Sequence, residues 1–155
     1  MAKQVSLFVS CILWGILVGG VAYSHIVYFP AYLLHLPEST SLITGTYGLQ
    51  DGHFWMFMHP LLIISMIVTL ITNWKQNEKK KYILTATGIY ILAIIATAIY
   101  FVPELMAFAE SAKSTTVTAA EWLERGQKWL ILSCIRGTFM AAAFIMMLIA
   151  NRKTN

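Results

Sequence analysis

The chain has 155 residues, of which 58% are hydrophobic and only 12% are charged, and its mean hydropathy is +0.67. Soluble domains usually carry about 25% charged residues, so this composition argues against a soluble protein and indicates an integral membrane protein. The net charge of +4 comes mostly from lysines in loops and at chain ends, with no basic stripe interleaved with aromatics, and we expect no nucleic-acid partner.

Four apolar segments are long enough to cross a bilayer as helices, which takes roughly 20 residues each. In chain order they cover residues 5–34, 54–74, 82–108 and 122–150. Thr118 and Glu121 form a capping box, which predicts the start of the last helix. We therefore predict an all-α fold with a single domain over residues 1–155, built as an integral membrane up-down-up-down four-helix bundle.

Lysine and arginine residues beside the spans predict how the bundle sits in the membrane. Most of them fall on the same side under this topology: Lys3, Lys75, Lys79, Lys80, Lys81, Arg152 and Lys153. The connection between the first two spans contains neither Lys nor Arg. We therefore expect both termini to be cytoplasmic. The short chain without an organelle-type targeting sequence favours a bacterial inner membrane.

The few ionisable side chains inside the spans all fall in the outer half of the predicted bundle. They come from all four helices: His25, His53, His59, Glu104, Arg125 and Arg136. A charge at mid-membrane costs roughly 2.5–3.5 kcal/mol on insertion scales, so we expect these residues to have a functional role. We predict that they share one polar pocket that faces the non-cytoplasmic side.

Helical spacing supports a shared pocket. Steps of three and four residues place each set on one face: Trp14, Val18, Val21, His25, Tyr28, Tyr32 and His35 on the first span, Tyr90, Ala93, Thr97, Tyr100 and Glu104 on the third, and Trp122, Arg125, Trp129, Leu132, Arg136 and Met140 on the last. On the second span, His53, Met56 and His59 fan over about 120°, with Met56 in the middle. Pro60 predicts a kink just beyond them.

Histidines on facing helices of a bundle are typical ligands of haem iron or another metal. We predict His25 and His59 as metal ligands with His53 as a substitute, and haem b as the cofactor; a non-haem metal or no cofactor are the alternatives. The predicted cofactor-binding set comprises His25, Met56, His59, Arg125, Trp129 and Arg136. The other interpretation of each histidine is a hydrogen bond across helices to a tyrosine hydroxyl or a backbone carbonyl.

Glu104 and Arg136 are the predicted catalytic residues. Glu104 is the only carboxylate within an apolar run, so it is the natural ion-pair partner of Arg125 or Arg136, and it would orient a ligand or move a proton. Arg136 lies on the order of 10 Å below Trp129 along a helix and needs an acceptor. A bound anion is the other acceptor that would satisfy an arginine at this depth.

Three local patterns resemble the anthrone oxygenase-like family of small four-helix membrane proteins. They are Tyr23-Ser-His25-Ile-Val-Tyr28-Phe29-Pro30, Pro103-Glu104-Leu105, and Trp122-x-x-Arg125-x-x-x-Trp129 followed by Arg136-Gly137. The resemblance implies oxidative chemistry, since fungal members of that family are implicated in oxygenating polycyclic anthrones. The family commonly carries Asn after the proline of the third span, where this chain has Glu104.

Three functions are consistent with these features. We favour a small membrane redox protein that holds haem b or another metal and acts on a small gas or a lipophilic phenol or quinol. The second is a cofactor-free oxygenase or isomerase of an aromatic substrate, with a histidine and Glu104 as bases and the arginines stabilising an enolate or phenolate. The third is a non-enzymatic membrane subunit or transporter. Expected partners are membrane lipid and a lipophilic substrate or redox partner, and the Gly15/Gly19 pattern permits a homo-oligomer.

Overall fold

The structure, a computed structural model, describes residues 2–153, and every regular element within them is helical. Four long helices follow one another along the chain: α1 (Ala2–Leu33), α2 (Gly52–Asn73), α3 (Asn77–Ala109) and α4 (Ala119–Arg152). Each is long and apolar enough to cross a membrane. The prediction of an all-helical protein with four apolar helices that could cross a membrane is therefore confirmed, while the single domain and the side faced by the termini stay predictions.

Short helical turns occupy the two longer connections. A 3-10 turn, Glu38–Thr40, and a one-turn α-helix, Ser41–Thr44, join α1 to α2, and a second 3-10 turn, Ser111–Lys113, follows α3. The start of α4 has the predicted capping box: the Glu121 amide donates to Thr118 Oγ1 at 3.3 Å, and the Thr118 amide donates to Glu121 Oε2 at 2.8 Å. Helix α3 begins at Asn77, before the predicted residue 82, because its lysines and glutamate are good helix formers that an apolar pattern does not detect.

The helices alternate in direction, so the start of α1, the end of α2, the start of α3 and the end of α4 lie together. Asn73 Nδ2 donates to the Lys3 carbonyl at 3.2 Å, and Lys153 Nζ lies 5.9 Å from the Tyr82 ring centroid. We call this lysine-rich end the basic end, and the opposite end the distal end. Near the basic end α1 and α2 are joined by hydroxyls: Ser6 and Thr72 lie 2.8 Å apart, as do Ser10 and Thr69.

Helices α1 and α3 each contain one π-helical turn, and each turn ends two residues before a proline. Ser24–Tyr28 precedes Pro30, and Thr97–Phe101 precedes Pro103. Proline has no N–H to donate and its ring crowds the carbonyl one turn earlier, and the wider π turn accommodates this. Helix α2, by contrast, stays α-helical through Pro60.

The buried side chains form two clusters at different depths. The basic-end cluster comprises Leu7, Cys11, Trp14, Leu17, Met58, Leu62, Met66, Ile83, Ala86, Tyr90, Ala93, Met140, Ala143, Met147 and Ala150. The distal cluster comprises Tyr28, Phe29, Tyr32, Leu33, Leu36, Phe101, Phe108, Trp122 and Trp129. Along α1, α3 and α4 the chain passes between the two clusters at His25, Thr97 and Arg136, so polar side chains fill the level that the apolar clusters leave open.

Candidate functional site

A cavity of about 790 Å³ lies between the two clusters and receives side chains from all four helices. It brings together five of the predicted site residues: His25, Met56, His59, Trp129 and Arg136. Its remaining wall is mostly apolar and includes several aromatic rings: Phe29, Trp55 and Phe101. The site is therefore an apolar chamber with a small polar group on one side.

Arg136 is the central polar residue of the cavity. One guanidinium nitrogen donates to Thr97 Oγ1, another donates to Ser133 Oγ at 2.9 Å, and the guanidinium carbon lies 4.0 Å from the Phe101 ring centroid. Its Nε is buried and has no hydrogen-bond partner. Within residues 2–153 no carboxylate lies within ion-pair distance of this side chain. The guanidinium thus keeps donor capacity for an anionic or electron-rich oxygen.

His25 is joined to Arg136 through Ser133. His25 Nδ1 lies 2.7 Å from the Val21 carbonyl, and its Nε2 lies 2.9 Å from Ser133 Oγ. A carbonyl only accepts, so Nδ1 carries the proton and donates. In the neutral ring Nε2 then accepts the Ser133 hydroxyl proton, which leaves the Ser133 oxygen to accept from Arg136. One continuous chain of donors therefore runs from Arg136 to the α1 backbone.

His59 forms the second polar contact of the cavity. Its Nδ1 lies 2.7 Å from the Tyr90 hydroxyl, and its ring stacks on Trp55 at a centroid distance of 5.8 Å. Tyr90 is buried and packs edge-on against Trp14. His59 Nε2 has no hydrogen-bond partner within residues 2–153. His59 is therefore held in a fixed orientation and keeps one ring nitrogen for a ligand.

Trp129 forms part of the aromatic wall. Its Nε1 donates to the Phe101 carbonyl at 3.0 Å, at the end of the π turn in α3. The indole packs edge-on against Phe29 and Phe101, with centroid distances of 4.6 and 5.4 Å. Because its N–H is already used, Trp129 presents an apolar surface to the cavity.

Glu104 and Arg125 pair with each other and do not line the cavity. The Arg125 guanidinium also lies 4.4 Å from the Trp122 ring centroid, near the distal end. The predicted ion pair of Glu104 with Arg125 is present, but its predicted place in the pocket is not, and the π turn of α3 explains this difference. Its extra residue moves the inward face from the expected Tyr100 and Glu104 to the neighbouring Phe101 and Leu105. Glu104 consequently faces α4 and serves as an ion-pair partner there.

His53 and Met56 also differ from their expected positions on α2. His53 is exposed and lies outside the cavity lining. Met56 lines the cavity but is 68% exposed, so it lies at the mouth, whereas Met58 is the methionine that packs into the core at 6% exposure. Helix α2 is therefore rotated relative to the expectation that centred the inward face on Met56.

The two-histidine haem site predicted from the sequence does not fit these contacts. Both ring nitrogens of His25 are engaged, so no lone pair is left for iron, and His53 lies outside the cavity. Residues 2–153 contain no group of three or more His, Cys, Asp or Glu side chains that could hold a metal ion. Of the two histidines that line the cavity, only His59 keeps a ring nitrogen without a hydrogen-bond partner in residues 2–153.

Thr97, Ser133 and Tyr90 contribute to the site although none was predicted as a site residue. Thr97 and Tyr90 lie on the predicted inward face of the third span. The sequence therefore indicated that they face the bundle interior but gave no chemical role for either residue. Ser133 lies one turn before Arg136, and this helical spacing is the sequence feature from which its contact with Arg136 could have been predicted. Its contact with His25 depends on the relative rotation of α1 and α4, which the sequence does not give.

Comparison with known protein families gives one result. A family model described as Anthrone oxygenase matches residues 52–146. The matched segment contains His59, Tyr90, Thr97, Ser133 and Arg136, while His25 lies before it. No curated protein and no solved structure matches the chain.

Proposed function

The chain belongs to the anthrone oxygenase family, and from this premise we propose that it is a membrane-embedded oxygenase acting on an aromatic substrate with an acidic methylene group. The observation that carries the proposal is Arg136: a guanidinium without a carboxylate partner, in an apolar cavity that also contains a histidine with one free nitrogen. An uncompensated charge at this depth raises the free energy of the folded protein, and binding an anionic oxygen would offset that cost.

Aromatic walls and one cation suit a planar substrate with a single oxygen function. Phe29, Phe101 and Trp129 offer ring faces and edges for stacking. The substrate's carbonyl or phenol oxygen would accept from a terminal N–H of Arg136 that Thr97 and Ser133 leave unused. Phe101 and Thr97 hold the guanidinium from the other side and so fix its direction. The substrate is thereby oriented with its methylene group towards His59.

His59 is the proposed base. In the tautomer with the proton on Nδ1, that nitrogen donates to the Tyr90 oxygen and Nε2 is free to take a proton from the substrate methylene. The negative charge left on the substrate delocalises onto its oxygen, where Arg136 stabilises it as an enolate or phenolate. Ser133 and His25 position Arg136 through the hydrogen-bond chain and do not touch the substrate.

Dioxygen is the oxidant, and the substrate supplies all the electrons. The carbanion forms a C–O bond to dioxygen, and the resulting peroxide takes the proton held by His59. Loss of the second methylene hydrogen with cleavage of the O–O bond releases water and leaves a carbonyl. One methylene and one dioxygen therefore give one carbonyl and one water, with no external reductant.

The test is turnover of anthrone by the purified protein in lipid nanodiscs. We expect one dioxygen consumed per quinone formed, with one atom of heavy-isotope dioxygen in the new carbonyl. Arg136→Gln and His59→Gln should each lower kcat/KM by about a hundredfold or more, as removal of an oxyanion donor or a base does. Arg125→Gln is the matched control, because it removes a cation outside the cavity.

Two outcomes would contradict the proposal. The first is an Arg136→Gln variant that keeps kcat/KM within about twofold of the unmodified protein, because the charge would then stabilise nothing in the transition state. The second is equal loss in the Arg125→Gln control. A visible spectrum of the oxidised and the dithionite-reduced protein tests the haem prediction separately.

A further inference from the structure

The mouth of the cavity is formed by two helices only. Among the lining residues the exposed ones all belong to α2 and α3: Gly52, Met56, Pro60, Val102 and Met106. The residues contributed by α1 and α4 are buried or half-buried. The cavity is therefore closed towards α1 and α4 and opens in the gap between α2 and α3.

The exposed residues follow helical rows. Gly52, Met56 and Pro60 are spaced by four along α2, and Val102 and Met106 are spaced by four along α3. Each row runs along one helix face, so the mouth is a slit, and from Gly52 to Pro60 it extends roughly 12 Å at the rise of an α-helix. Met56 and Met106 are each 68% exposed and are the flexible residues of this rim.

The rim carries no charged side chain. All five residues are apolar, and they lie on helices that are long and apolar enough to cross a membrane. A slit of this composition is suited to a hydrocarbon environment, because a route from water would bring polar groups to the rim. The one carboxylate of the cavity lining, Asp51, accepts from Trp55 Nε1 at 3.1 Å beside the end of the slit.

We propose that the cavity takes its substrate sideways from the lipid phase, through the slit between α2 and α3. The substrate class is accordingly a membrane-dissolved aromatic lipophile with a carbonyl or phenol oxygen, which stays neutral in the bilayer and meets Arg136 only after passing the rim. The choice of an oxygen function rests on the proposed function. The route rests on the positions and exposure of the rim residues.

A lateral route has a kinetic consequence. A bulky side chain on the rim obstructs the entry and the exit of the ligand equally. The association and dissociation rates therefore both fall, while the equilibrium affinity is unchanged. A residue that binds the ligand instead changes the affinity, mostly through the dissociation rate. The two roles are therefore separable by stopped-flow binding.

The experiment uses dihydroxyanthraquinone, a neutral phenol that cannot undergo the oxygenation, as the ligand for the protein in lipid nanodiscs. Quenching of the native tryptophan fluorescence reports binding. In the Val102→Phe/Met106→Phe variant we expect association and dissociation to slow by about tenfold each, with Kd within about twofold. Met106→Ala should speed both rates, which keeps the test informative if the bulky variant folds poorly.

Ile99→Phe is the matched control. Ile99 lies on α3, is 74% exposed and does not line the cavity, so added bulk there should leave both rates unchanged. Anthraquinone sulfonate is the water-soluble comparison and should bind far more slowly, because its permanent charge keeps it out of the hydrocarbon.

The outcomes separate the route from the chemistry. Unchanged rates in the double phenylalanine variant, or equally fast binding of the sulfonate, would overturn the lateral route and leave the proposed oxygenase untouched. No binding of dihydroxyanthraquinone to the unmodified protein would overturn the substrate class and with it the proposed function.

Discussion

Replacing Arg136 by methionine should separate the stability of the bundle from its ability to bind an anionic oxygen. Methionine keeps an unbranched apolar stem and removes the guanidinium. The two hydroxyls that accept from Arg136 retain their own acceptors: Thr97 Oγ1 donates to the Ala93 carbonyl at 2.6 Å, and Ser133 donates to His25. Neither hydroxyl is therefore left with an unused donor.

The size of the expected change in the free energy of unfolding follows from the contacts of the Arg136 guanidinium. A charge at this depth costs about 2.5–3.5 kcal/mol on insertion scales. The contact with the Phe101 ring returns about 1–2 kcal/mol, and each hydrogen bond to a hydroxyl returns about 0.6 kcal/mol. These contributions nearly cancel, so Arg136→Met should change the free energy of unfolding by no more than about 1 kcal/mol. Affinity for a phenolate should fall by about ten- to a hundredfold, as expected for loss of a charged hydrogen bond.

Two measurements on the same variant check this reasoning: reversible unfolding in mixed micelles, and calorimetric titration with dihydroxyanthraquinone in nanodiscs. Arg125→Met is the counterpart, because it leaves Glu104 unpaired but lies outside the cavity. It should lower stability by up to about 1 kcal/mol and leave the affinity unchanged. A loss of more than about 3 kcal/mol in Arg136→Met, or an unaltered affinity, would refute the account of an uncompensated cation kept for binding.

Three further predictions concern single contacts. Gly126→Ala should destabilise the protein by about 1–3 kcal/mol in the unfolding assay, because the new methyl would clash with the Leu33 backbone carbonyl of α1; Gly19→Ala, with no atom within 4 Å of its new methyl, should not destabilise it. Tyr90→Phe should lower kcat by about tenfold or more with little change in KM, since His59 loses its orienting partner; equal changes in the two constants would contradict this. Thr118→Ala should cost about 1 kcal/mol of stability by removing the cap of α4, and unchanged unfolding would argue against the capping role.

The level of each residue along the bundle was predictable from the sequence, and rotation about the helix axes was only partly so. Counting residues from each helix end was enough to predict that His25, His59 and Arg136 lie at one level, and the structure brings them to one cavity. The inward stripe of α3 was right up to Thr97 and shifts beyond it by one position, to Phe101. On α1 the predicted Tyr28 and Tyr32 are buried, and Phe29 beside them also lines the cavity.

The shift in α3 has a physical cause. A π turn inserts a residue, and one residue corresponds to about 100° of rotation in an α-helix, so a stripe extrapolated at 3.6 residues per turn turns to the wrong face. Glu104 was assigned to the pocket for this reason. Each π turn lies just before a proline. A proline near the end of an apolar span therefore indicates that the inward-facing positions should not be extrapolated past it at 3.6 residues per turn.

The hydroxyl contacts between α1 and α2 fix these two helices relative to each other near the basic end. They hold the two helices together at the end remote from the slit, where Ser10 meets Thr69 and Ser6 meets Thr72. We expect a tilt of the distal half of α2 away from α3 to leave these bonds intact. Such a tilt would widen the slit for a bulky substrate without unfolding a helix, and the contact that it would loosen is the hydrogen bond between His59 and Tyr90.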